Sequence, residues 1–93
     1  MQTYIIQIGN TDDKLSQKKW FEFVSATKIM IMNFSNQIFF YGHSEPLATW
    51  QNSCWVFEMS NGKYSGLIKE LEFLRTEYNQ DSIALTVGTT LFI

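Results

Sequence analysis

Apolar residues in this chain follow two rhythms, every second position in some stretches and every third or fourth in others. Residues 1–8 are β-branched and apolar without a charge, which predicts a central strand. Gly9, Asn10, Thr11, Asp12 and Asp13 end it, because Gly, Asn and Asp favour turns. Ser16 stands where a helix N-cap belongs. After it Trp20, Phe23, Val24, Thr27 and Ile31 recur at three- and four-residue steps, the stripe of an amphipathic helix of roughly four turns. Phe21 falls off that stripe and is expected to be partly exposed. Residues 29–32, Ile-Met-Ile-Met, suit a helix or a strand, and residues 33–36, with Asn33, Ser35 and Asn36, make the next polar break.

Residues 37–42 read as the second strand, broken by His43, Ser44, Glu45 and Pro46, since proline cannot donate to a ladder. The loop runs to about Asn52, a length near the upper end of ordinary connections. Residues 53–59 form the third strand, with Trp55, Phe57 and Met59 alternating against Cys54, Val56 and Glu58. Glu58 turns its own face to solvent. Ser60, Asn61 and Gly62 make a turn. Tyr64, Leu67, Ile68, Leu71, Leu74 and Tyr78 then trace the second helix, which Asn79, Gln80 and Asp81 stop. Residues 82–86 are a strand. Gly88 suits a hairpin or a bulge, and residues 89–93 a last strand or an extension.

The resulting order, β-α-β-β-α-β, is the split β-α-β or ferredoxin-like pattern of an α+β protein, in one domain over residues 1–93. An antiparallel sheet with two helices on one face is expected, with the first and third strands central and room for an extra C-terminal strand. That topology brings the loop after the first strand, the loop between the second and third, and the turn after the second helix to one edge. These segments carry Asn10, Asp12, Asp13, His43, Glu45, Trp50, Gln51, Asn52, Gln80 and Asp81. A tryptophan among amides and carboxylates can anchor a protein partner or stack on a planar ligand. The same residue types also serve turns, which is the plainer use of any one of them.

Composition narrows the choice. Ninety-three residues leave no room for a second domain, and 16% aromatics can fill a small core with some left for an interacting surface. A formal charge of −2 neither grips phosphate nor mimics nucleic acid, so direct nucleic-acid binding is not expected. The single cysteine cannot close an internal disulfide, and no secretory signal or membrane-length apolar run is read. A cytoplasmic protein without a membrane partner follows as an expectation.

Chemistry adds little. His43 with Asp12, Asp13, Glu45 or Asp81 lacks any diagnostic metal-ligand spacing, so no metal or cofactor is expected. Cys54 lies inside a strand beside Trp55, where a cysteine is usually a small buried hydrophobe rather than a nucleophile. Asp12 and Asp13 are adjacent acids in a turn, a weak signal for acid–base work. No glycine-rich phosphate loop is present. Rings on the strands (Tyr4, Phe39, Tyr41, Trp55, Phe57) come without the basic residues of an RNA-recognition motif. Coverage of the open sheet face by a homodimer or by the C-terminal segment suits them better.

Two resemblances attach to particular residues. Residues 4–10 and 12–14 resemble the start of the small CRISPR adaptation nuclease, but Gly9 and Asn10 stand where that family carries its acid, so no nuclease role is carried over. More of the chain is similar to a group of small uncharacterised bacterial and phage proteins. The shared pattern covers Ile8 to Leu15 (Ile-Gly-Asn-x-Asp-Asp-Lys-Leu), Trp20, Trp50 to Trp55 (Trp-Gln-Asn-x-Cys-Trp), Gln80 to Ala84, and Phe92-Ile93. By analogy of size and type, the resemblance implies an inhibitor of host defence of the anti-CRISPR kind, binding a bacterial defence effector without catalysis. A module sequestering a nucleotide-like signal, a toxin-immunity protein and a small metal-dependent enzyme are the alternatives.

Overall fold

The computed structural model describes residues 2–10, 14–45 and 50–93. Asp12, Asp13 and Pro46 lie outside them. The chain forms β1 (Gln2–Gly9), α1 (Gln17–Phe34), β2 (Gln37–His43), β3 (Asn52–Met59), a short 3₁₀ turn (Asn61–Lys63), α2 (Tyr64–Glu77) and β4 (Ala84–Gly88). The strands make one sheet in the order β2-β3-β1-β4. All three pairings are antiparallel, so β1 and β3 are the central pair of a ferredoxin-like sheet.

Strand alternation decides which residues fill the core. Tyr4, Ile6 and Ile8 from β1 and Trp55, Phe57 and Met59 from β3 face the helices and are buried. Against them α1 buries Trp20, Phe23, Thr27, Met30 and Ile31, and α2 buries Leu67, Leu71 and Leu74. Thr27 sits in this apolar stripe without penalty because its hydroxyl donates to Phe23 O at 2.8 Å. Ring stacking ties neighbours within each layer: Tyr41 on Trp55 at 5.0 Å across β2 and β3, and Phe23 of α1 on Tyr78 at the end of α2 at 4.8 Å. Trp55 Nε1 is buried and finds no acceptor among the described residues, a donor whose desolvation costs about 1–3 kcal/mol.

Helix ends follow local chemistry. Ser16 caps α1, its Oγ accepting from Lys19 N at 3.2 Å. Residues 29–32 are helical, because the buried stripe continues through Met30 and Ile31. At the far end of α2, Asn79 takes φ 52°, Gln80 N donates to Arg75 O (2.8 Å) and Asn79 N to Thr76 O (3.2 Å). This is a Schellman stop with asparagine in the left-handed position.

Two expectations change. The last strand begins at Ala84 rather than residue 82, since the ladder with β1 ends at the Gln7–Ala84 pair and residues 82 and 83 make no strand pairing. Gly88 closes β4, making neither the hairpin nor the bulge, and of the two readings for residues 89–93 the extension holds, without ladder pairing. Cys54 also lies on the helix-free face, half-buried, while the neighbouring Trp55 enters the core.

Candidate functional site

The three segments expected at one edge meet at one end of the sheet. Asn10 is 1% exposed, and its backbone N–H donates to Gln51 O at 2.9 Å. Its side chain is engaged at both atoms. Nδ2 donates to Leu15 O (3.0 Å) and Gln51 Oε1 (3.1 Å), and Oδ1 accepts from Leu15 N (3.0 Å). Gln51 Oε1 also accepts from Gln17 Nε2 at 3.0 Å, and Gln51 Nε2 donates to Gln17 Oε1 at 2.7 Å. An amide carries both a donor and an acceptor, so these side chains pair off without burying a charge. The cluster ties the exit of β1 to the start of α1 and the entry to β3. Asn10 and Gln51 are therefore turned to one another rather than outward.

The third segment joins through Lys14, whose Nζ lies 2.9 Å from Asp81 Oδ1. With the Asp81 side chain 89% exposed, the pair contributes under about 1 kcal/mol. The neck of the β2–β3 loop is closed by Ser44 N donating to Asn52 O and Asn52 N donating to Ser44 Oγ, each at 2.9 Å. Asn52 Nδ2 reaches Trp50 O at 3.2 Å, leaving the Trp50 ring exposed. Gln80 is half-buried and bonds Tyr78 O at 3.1 Å.

The amide cluster divides this end of the molecule into two surfaces. One is a groove of about 320 Å³ between α1 and β2, walled by Trp20, Phe21, Val24 and Tyr41, with Gln17, Gln51, His43 and Glu45 along it. Lys28 Nζ stands 5.9 Å from the Tyr41 ring centre, a cation over a π face. His43 Nδ1 is 2.8 Å from Ser44 O, and since a carbonyl only accepts, the proton belongs on Nδ1. The other surface is an open depression of about 520 Å³ lined by Gln7, Asn52, Cys54, Gln80, Asp81 and Ala84. Asn52 borders both. His43, Glu45 and Gln51 thus separate from Gln80 and Asp81.

Trp20 and Val24 belong to the helix stripe visible in the sequence, whereas Gln17 lies off it and carries no sequence signal for its place here. Phe21 carried the usable signal, since a large ring off the buried stripe needs another role. Among the described residues no group of three His, Cys, Asp or Glu side chains is placed to hold a metal ion. Cys54 pairs with Gly42, whereas His43 pairs with Ser53 on the opposite face. Burial pushes the Cys54 thiol above its ordinary value, the reverse of what an activated thiolate needs. No described helix is long and apolar enough to cross a membrane. No protein-family model and no curated protein matches the chain.

Proposed function

We propose that this is a non-enzymatic binding protein that inhibits a bacterial defence complex by occupying its surface, in the cytoplasm of the host cell. The observation that carries the binding part is the α1–β2 groove. Phe21 is 71% exposed on its wall, Tyr41 lies across from α1, and Trp50, 68% exposed, directly precedes the groove residue Gln51. Aromatic anchors beside satisfied polar groups are the usual make-up of a protein-binding centre. The buried amide cluster would hold that surface in shape, so little order need be gained on binding. The assignment to defence rests on the resemblance to small phage and bacterial proteins.

Affinity capture from a phage-defended host tests the reading, paired with phage plating. Recovery of a defence subunit, lost with Phe21→Ala and Trp50→Ala, together with raised plating in cells expressing the wild type, supports it. Failure to recover any defence subunit, with unchanged plating, would overturn it. The 520 Å³ depression favours one second reading, the sequestering of a nucleotide-like signal by the amides of Gln7, Asn52 and Gln80. Calorimetry against cyclic nucleotides separates the two, since binding abolished by Gln80→Ala, at a residue that lines the depression and not the groove, belongs to the second alone.

A further inference from the structure

The helix-free face of the sheet is not the polar surface that such a sheet normally turns to water. One row crosses all four strands as Thr86, Ile5, Val56 and Phe40. The next holds Ala84, Gln7, Cys54 and Gly42. The Phe40 ring lies over Gly42, where an added Cβ would fall 2.5 Å from its Cζ. Among the paired strand residues of this face Glu58 carries the one charge, in the outer row with Thr3 and Gln37, and Asp81 borders the opposite end beside Gln7, Cys54 and Ala84. The segment after β4 runs along the same side. Thr90 meets the Thr3 hydroxyl, and the Phe92 ring contacts Phe39 edge-on at 6.1 Å. It does not shield itself there, because Leu91 and Phe92 are 79% and 82% exposed and Ile93 fully so.

We propose that a second copy of this chain covers this face, in a twofold dimer in which residues 91–93 of each copy pack on the Ile5–Val56–Phe40 row of the other. Area argues for this occupant. Four strands about 4.8 Å apart and some six residues at about 3.4 Å make a face of roughly 400 Å². A stable interface needs about 800 Å² per partner. Three large apolar side chains, at about 150 Å² each, bring the contact to that size. Arm and receiving face belong to the same chain, as an isologous contact requires. In the outer row the two Glu58 carboxylates remain solvated rather than opposed in the centre. The dimer surface lies across the sheet from the α1–β2 groove, so either contact can fail without the other.

Light scattering across a micromolar concentration series tests the dimer. The wild type should rise from 10.9 kDa to twice that mass. Val56→Lys, and separately Leu91→Asp with Phe92→Ser, should hold it at 10.9 kDa with native near-ultraviolet dichroism. Thr86→Lys, at an exposed position of the same row, serves if Val56→Lys fails to fold. Alkylation of Cys54 should slow as the dimer forms. A wild type that stays monomeric throughout overturns the proposal, as does a dimer that these substitutions leave unchanged.

Discussion

Replacing Asn10 by alanine removes three side-chain hydrogen bonds of 3.0, 3.1 and 3.0 Å. Gln51 Oε1 keeps Gln17 Nε2, so the loss falls on Leu15 N–H and C=O. Both are held where Asn10 is 1% and Leu15 8% exposed. Each stranded group costs about 1–3 kcal/mol, and partial opening of the loop to water lowers that, so about 2–4 kcal/mol in total is expected. Against a usual stability of about 5–15 kcal/mol this is a large fraction. It corresponds to a fall in Tm of roughly 10–25 °C for a domain of this size. Urea unfolding followed by tryptophan fluorescence reads it as a lower midpoint at unchanged slope. Asn10→Asp sharpens the test. It keeps an acceptor for Leu15 N–H but turns a second oxygen toward Leu15 O and Gln51 Oε1, which are also acceptors. The folded state then favours the protonated acid, which raises its pKa above the unfolded value. Asn10→Asp should therefore lose most stability at neutral pH and regain part of it as pH falls through the folded pKa toward the ordinary carboxylate value. Asn10→Ala within about 1 kcal/mol of wild type, at equal slope, would refute the structural role of the amide cluster.

Three further outcomes follow from local geometry. Asn79 at φ 52° makes Asn79→Gly stabilising by about 0.5–1 kcal/mol, while Asn79→Ala should destabilise by a similar amount, both read by thermal melts. Ser16→Ala should cost about 1 kcal/mol and speed amide exchange at Lys19, whose N–H it leaves uncapped. Because burial raises the Cys54 thiol, alkylation at neutral pH should be slower than in the urea-unfolded chain, and equal rates would contradict this. The matching sign for stability is a decline as pH climbs past the ordinary thiol value, where the unfolded chain releases the proton first.

The fold was legible because its signals are local. Alternation over Trp55, Phe57 and Met59 and the stripe of α2 each fit one period, and Glu58 settled which face of β3 meets solvent. Convergence of the three loops followed from element order alone. The role of each loop residue did not, because Asn10 and Asn52, or Gln51 and Gln80, are chemically alike in the sequence. Burial separates them: Asn10 and Gln51 are enclosed and paired, whereas Asn52 is exposed. Gln17 went unnoticed because an outward helical glutamine gives no sign of the partner it meets across the fold. Cys54 suggests a small buried hydrophobe by residue type, whereas strand alternation groups it with Val56 and Glu58; alternation decides, and Cys54 is half-buried on the helix-free face.

The binding claim is tested most directly by capture from a phage-defended host with the wild type, Trp50→Ala, Phe21→Ala and a control, Phe73→Ala. Phe73 is 61% exposed on α2 and lines no part of the α1–β2 groove. Loss of an anchor worth about 2 kcal/mol weakens binding roughly 30-fold. A defence subunit held by the wild type and Phe73→Ala, and released by Trp50→Ala and Phe21→Ala, is the predicted result. Equal recovery with all four proteins, or no defence subunit with any, would contradict it.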